Sequence, residues 1–270
     1  MLRYKAIVLA LTCFLCNVIS AQELFVYTEP SSNMPAKSIG IRLSNWLMGD
    51  NTNHIEYHFL PEIMWGINKR LMLHVEGYFS NSMGGFTGEG AGLYAKYRFY
   101  SKDKVYKHFR MAAFTRLSTN NEPIRQEEIA TNGYNTGYQV GLIGTQLLHK
   151  TALSITTYYE QALNNLNGYE YPQSLSRNAV NYDFSIGRLI LPKTYTGYKQ
   201  TNMNIMVEFL GQSLLGNGKQ FTDIALSTQF IFNSQTRMDV GYKRELYSNM
   251  QRTLPNGFLI RVEHLLYNVL

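Results

Sequence analysis

Histidines and carboxylates crowd two neighbouring segments of this sequence: His54, Glu56, His58 and Glu62 in one, His74 and Glu76 in the next. Imidazole and carboxylate together can ligate a divalent cation. No two of these histidines have the spacing of a closed metal site, and none falls in a metal-binding motif. The sequence therefore predicts polar wall groups and no metal. His74 with Ser80 or Ser82 raises a hydrolase, because a nucleophile and its base need hydrogen-bond reach. Neither serine lies in a Gly-x-Ser-x-Gly elbow, and the glycines from Gly84 to Gly92 lead to no Gly-Lys-Ser/Thr phosphate loop. The expectation is no enzyme and no cofactor.

The charged residues share a period of two, which is the strand signal. Arg42 lies between Ile41 and Leu43, and His74 and Glu76 flank Val75. Lys96 and Arg98 alternate with Ala95, Tyr97 and Phe99, while Arg110 lies between Phe109 and Met111. Farther on, Glu208 separates Val207 from Phe209, and Asp239 separates Met238 from Val240. Lys243 follows Tyr242, and Arg261 and Glu263 bracket Val262. Twelve such segments are predicted, near 37–48, 54–67, 71–80, 89–100, 107–118, 134–147, 151–162, 179–191, 200–211, 220–232, 236–247 and 257–269. Most run 10 to 14 residues, whereas soluble strands average about 5 or 6 and a tilted membrane-crossing strand needs about 9 to 11.

The connections alternate as well. Asn68-Lys69-Arg70, His149-Lys150 and Asn233-Ser234-Gln235 are tight turns. Residues 81–88, 119–133, 163–178 and 248–256 form longer links. An even strand number with short turns on one side and long loops on the other is the pattern of a bacterial outer-membrane barrel. Pro192 to Lys199 is long for a turn and Gly49 to Asn53 short for a loop, which breaks the regularity at two links. Paired aromatics such as Phe99–Tyr100, Tyr158–Tyr159 and Phe230 with Phe232, with Trp46 and Trp65, fall near strand ends, where interfacial girdles lie.

The N-terminus supplies the address. Arg3 and Lys5 precede an apolar run from Ala6 to Cys16, and Ser20-Ala21 gives small residues before Gln22: a secretory signal peptide over residues 1–21. The run is too short for a spanning helix. Cys13 and Cys16 both lie inside it, so the mature chain holds no cysteine and no disulfide. Removal of Arg3 and Lys5 takes the formal charge from +6 to +4, with no basic cluster, which is too mild to argue for nucleic acid, and none is expected as a partner. Residues 22–36 are expected to be a periplasmic N-terminal segment, and 37–270 an all-β, antiparallel up-and-down transmembrane barrel of about twelve strands. Its partner is the outer-membrane lipid bilayer.

Several stretches resemble a known group. Met34-Pro35-Ala36-Lys37-Ser38-Ile39-Gly40-Ile41-Arg42 opens the first strand, and Pro61 to Leu71 reads Pro-Glu-Ile-Met-Trp-Gly-Ile-Asn-Lys-Arg-Leu. Leu93 to Phe99 and the Gln229–Ser234 and Met238–Tyr242 stretches continue the likeness. Together they resemble an uncharacterised outer-membrane barrel family of the Bacteroidetes. That family is loosely similar to transporter-like barrels beside aromatic-compound degradation genes, of the MetA-pathway type. The resemblance implies the fold and is silent on a solute. It carries over no catalytic residue. The chain departs from such barrels in ending Tyr267-Asn268-Val269-Leu270 rather than on an aromatic residue.

If the alternating phase holds, the lumen receives Arg42, Glu56, His58, Glu62, His74, Glu76, Lys96, Arg98, Arg110 and Arg116 from the early strands. The late strands contribute Glu160, Asp183, Glu208, Asp223, Asp239, Lys243, Glu245, Arg261 and Glu263. A cationic early wall facing an acidic late wall would orient a polar solute in a constriction. The other reading is mutual neutralisation that fills the lumen, since twelve strands lie between filled eight-stranded barrels and open sixteen-stranded ones. The leading expectation is a passive channel for small polar or amphipathic solutes. The alternative is a non-conducting barrel that binds envelope partners through the loops 119–133 and 163–178.

Overall fold

Residues 25–49, 55–194, 197, 199–253 and 255–269 are described by a computed structural model. Twelve antiparallel strands account for most of them. These are β1 (Ser38–Gly49), β2 (Ile55–Gly66), β3 (Leu71–Ser80), β4 (Thr87–Lys104), β5 (Lys107–Asn120) and β6 (Gly137–Leu148). They continue with β7 (Thr151–Ala162), β8 (Asn178–Leu191), β9 (Asn202–Leu214), β10 (Gln220–Phe232), β11 (Thr236–Ser248) and β12 (Asn256–Leu266). Each strand pairs with its sequence neighbours, and β1 pairs with β12 from Ile39↔Leu266 to Gly49↔Asn256, so the sheet closes. Closure satisfies every strand edge, which hydrocarbon demands.

Side chains are sorted opposite to a soluble protein. Leu93 and Ile155 are 56% and 62% exposed on the outer surface, whereas Lys96 and Glu208 are 0% exposed on the inner one. Ile41, Leu43, Val140, Leu142, Leu226 and Ile260 extend the apolar exterior to other strands. A soluble sandwich cannot hold this arrangement in water, but a barrel in lipid requires it.

Three expected strands match the observed bounds, and others shift for local reasons. β4 runs past the predicted end at 100 because Ser101–Lys104 pairs with Lys107–Arg110 in a polar hairpin extension. β6 starts at Gly137 rather than 134 because the preceding loop turns inward: Tyr134 and Asn135 donate their backbone N–H groups to the Ala130 carbonyl. Trp46 and Tyr158, read as possible girdle residues, face the lumen instead, while Tyr159, Phe230 and Phe232 keep the outward phase.

The expected signal peptide lies outside the described residues. The segment after it needs correction: residues 25–36 lie inside the barrel, not on the periplasmic side. Phe25 and Val26 are 2% and 1% exposed, packed with Leu147, Met206 and Leu259 from the inner wall. Apolar side chains at the head of a tail are poorly matched to water, and the wall offers them room at glycines. A Cβ on Gly66 would fall 2.1 Å from the Pro35 carbonyl oxygen, and one on Gly241 would fall 2.8 Å from the Tyr27 ring. We call residues 25–36 the strap.

Candidate functional site: a lumen chamber between strap and loop

The strap is held by a carboxylate that, among the described residues, has no cation paired with it. Glu208 on β9 accepts the backbone N–H groups of Val26, Tyr27 and Thr28 at 3.0, 2.9 and 2.9 Å, and the Thr28 hydroxyl at 2.8 Å. Three successive N–H groups converging on one anion form a backbone nest. Lys96 on β4 works in the opposite sense: its Nζ donates to the carbonyls of Pro30 and Ser32 at 2.7 and 3.0 Å and pairs with Glu29 at 3.2 Å. Burial acts to raise the Glu29 carboxyl, but Lys96 and Arg42 reverse this and hold it well below its usual range. Ser31 N–H reaches Thr145, and Arg261 donates to the Val26 carbonyl at 2.6 Å.

From the other end, the loop 121–136 folds into the mouth. Glu127 accepts from Lys219 at 2.6 Å and from the Gln251 N–H at 2.7 Å, which together with their charge outweigh burial and hold its carboxyl below the usual value. Arg252 ties the loop to the far wall. It binds Glu128 at 2.7 Å, Asp223 at 2.6 Å and Glu245 at 3.0 Å, and lies 3.6 Å from the Phe221 ring centroid. Deeper in, Thr131 N–H donates to Glu160, and Ile129 exchanges hydrogen bonds with the Gln212 amide.

Between strap and loop lies a chamber of about 260 Å³, lined by Val26–Glu29, by Gln126 to Tyr134 and by inner-wall side chains. Of the predicted lumen residues, Arg42, His58, His74, Glu76, Arg116, Glu160, Asp183, Asp223, Lys243 and Arg261 line the chamber, but their charges do not form two opposed walls. The early cations are paired locally. Arg42 binds Glu29, Glu62 and Glu263 at 2.9, 3.3 and 2.8 Å, and Arg116 binds Glu76 at 3.1 Å. His58 pairs with Glu56 and His74 with Glu62, each at 3.3 Å. Among the late strands, Lys243 meets Asp223 at 3.4 Å, and Arg237 bridges Asp239 and Glu263 at 3.1 and 2.8 Å. Register explains this: Arg42 stands opposite Glu62 on one side and Glu263 on the other. Neighbouring strands neutralise each other before distant walls can.

Arg98 and Arg110 lie at the rim that carries the β2–β3 turn and the β4–β5 hairpin rather than in the chamber. Arg98 donates to the Lys69 carbonyl of the β2–β3 turn at 2.7 Å; Arg110 pairs with Asp103 at 3.1 Å and donates to Ser32 of the strap at 2.8 Å. Glu62, His74 and Glu76 offer ligand atoms within 4.8 Å of one another. Arg42 and Arg116 already neutralise the two carboxylates, so a divalent ion there would face two guanidiniums. Of the two serines considered beside His74, Ser82 donates its hydroxyl to Glu122 at 2.6 Å and Ser80 accepts the Ser82 N–H at 3.0 Å. Sequence reading missed Glu29, Arg237 and Arg252. Arg237 was accessible, being in phase with Asp239; Glu29 and Arg252 sit in aperiodic segments that give no facing signal.

No protein-family model matches this sequence, and no curated protein does. Solved structures do share its shape. An outer membrane channel from Pseudomonas putida F1 superposes with a TM-score of 0.57 at 12% identity, over 90% of this chain and 99% of that one. The NanC porin gives 0.51 at 11% identity, over 84% and 98%. At these identities the likeness is one of fold. With the apolar exterior and closed sheet, it defines the class: this is an outer-membrane β-barrel.

Proposed function

We propose that the chain is a passive outer-membrane channel for small polar or amphipathic solutes, held closed in the described form by the strap and the loop 121–136. The observation that carries this reading is the chamber itself. Twelve strands enclose more space than their side chains fill, and the remaining volume is bounded by two segments that are not part of the wall. Lumen charges at Arg42, Glu76, Arg116 and Arg261 border it, and Arg98 and Arg110 set the charge of the periplasmic entrance. The solved structures of similar shape carry the names of a channel and a porin, which agrees with this reading. Residues 1–21 act as the export signal, and the Bacteroidetes resemblance rests on the β2–β3 and β10–β11 hairpin sequences.

The test is planar-bilayer recording of the purified barrel under a salt gradient. Discrete unitary openings are expected, with a reversal potential that shifts when Arg110 is replaced by Gln. A folded, inserted barrel that stays silent at every voltage overturns the channel reading. One observation favours a second reading, a non-conducting scaffold: the strap is anchored by both ionic and apolar contacts. That reading predicts silence even after the strap is displaced, and a partner protein that co-purifies through the loops.

A further inference from the structure

The chamber's charges are unevenly satisfied. Among the described residues, carboxylates lining it outnumber Lys and Arg side chains two to one. Each of those cations, Arg42, Arg116, Lys243 and Arg261, has a carboxylate within 4.0 Å. Three lining carboxylates, Glu89, Glu160 and Asp183, have no cation partner among the described residues, and the last two stand on adjacent strands. Glu160 is satisfied by neutral donors from Thr131, Gln139, Asn181 and Gln212. Asp183 takes only the backbone N–H of Gly211 and is open to the chamber.

Beside these carboxylates runs a row of rings. Tyr94, Phe114 and Tyr158 have successive centroid separations of 5.7 Å, and all three line the chamber. The row is continuous across the intervening strand because position 141 is glycine. A Cβ there would fall 2.4 Å from Tyr158 Cβ and 2.7 Å from the Phe114 ring. Strand register puts Tyr158 opposite Asn181, so Asp183 lies one inward position farther along β8 and Glu160 one inward position along β7. At the far end of the row, the Tyr94 hydroxyl and His74 Nε2 are buried, line the same space and have no hydrogen-bond partner.

We infer that the chamber is a binding site for an organic ammonium with an aromatic or alkyl body. Its charge sits at Asp183, and its body lies along the Tyr94–Phe114–Tyr158 row. An anion entering this space meets cations that are already paired, whereas an ammonium meets a carboxyl group with no cation beside it and π-faces that attract cations. The volume is near the lower end of small-ligand pockets, about 300 Å³, which limits the guest to a small molecule. The unpartnered Tyr94 hydroxyl supplies a donor for a polar group at the guest's other end. This inference deepens the channel reading by naming its solute class.

The sequence holds two tryptophans, Trp46 and Trp65, and Trp46 lines the chamber. In the full-length barrel carrying Trp65→Phe, Trp46 fluorescence is titrated with phenethylammonium and, separately, with phenylacetate and potassium. The expected result is a saturable change with phenethylammonium only. Asp183→Asn should weaken it at least tenfold and Asp183→Glu should restore most of it, with heat-modifiable gel migration confirming that each barrel is folded. Tyr158→Leu should weaken it several-fold. Phenylacetate binding as tightly, potassium displacing the guest at equal concentration, or an unchanged affinity in Asp183→Asn each overturns the inference. Binding is read without current. A silent barrel that binds phenethylammonium fells the channel reading alone, and a conducting barrel that ignores it fells this one alone.

Discussion

Replacing Glu208 by Ala should release the strap. The carboxylate is fully buried and accepts three backbone N–H groups and the Thr28 hydroxyl. A hydrogen bond to a charged group contributes about 1.5–3 kcal/mol, and a buried N–H left without a partner costs about 1–3 kcal/mol. Three orphaned N–H groups therefore destabilise the docked strap by on the order of 5 kcal/mol, which is between three and four decades in the docked-to-released ratio. What remains includes the Lys96 contacts to Glu29, Pro30 and Ser32, the Arg42–Glu29 pair, the Arg261, Thr145 and Arg110 hydrogen bonds and the burial of Phe25 and Val26. Glu208→Gln keeps one carbonyl oxygen and should fall between the two. The assay pairs open probability in a planar bilayer with thiol labelling of Tyr27→Cys, since any cysteines of the chain lie at positions 13 and 16. Release predicts a higher open probability and faster labelling, graded from Ala to Gln to wild type. A folded Glu208→Ala barrel whose Tyr27→Cys labels as slowly as in the wild-type background would show that Glu208 does not hold the strap.

Arg252→Met leaves Asp223, Glu128 and Glu245 without their shared cation, and breaking buried pairs of this kind costs about 3–5 kcal/mol. The urea midpoint should fall and protease cleavage of the loop 121–136 should rise. Leu142 is 49% exposed on the outer face, so Leu142→Arg should cost about 2–4 kcal/mol if it lies near the bilayer midplane, read as reduced refolding into vesicles. The Glu127 carboxyl is held below its usual value, so its contribution to loop anchoring is complete above the ordinary glutamate pKa, about 4.3, and is lost as pH falls through the lower value in the folded protein. Cleavage at Arg125 should accelerate with acidification in that window, and Lys219→Met should flatten the dependence.

The wall was legible because lipid and lumen impose a strict period of two, and β3, β7 and β10 fall where that period places them. Facing was legible for the same reason, from Arg42 to Glu263. Pairing was not. Whether Arg116 meets Glu76 or a late-strand carboxylate depends on register, and register is set by strand tilt and turn geometry that no single strand records. The strap was invisible because residues 25–36 have no periodicity, although Phe25-Val26-Tyr27 ahead of a barrel is an apolar cluster with no reason to be in water. The inward glycines Gly66 and Gly241 were the second trace of it, since they leave small side chains where a wall otherwise carries large ones.

The measurement that bears most directly on the account is a reversible lock of the strap. The hydroxyls of Thr28 and Ser185 lie 2.8 Å apart, close enough for cysteines at these positions to bridge with modest adjustment. Thr28→Cys/Ser185→Cys barrels are recorded in planar bilayers oxidised, then after a reductant is added to the same chamber. Silence is expected while the bridge holds, and discrete openings once it is reduced. Equal conductance in both states, with the bridge verified by mass spectrometry, would contradict it.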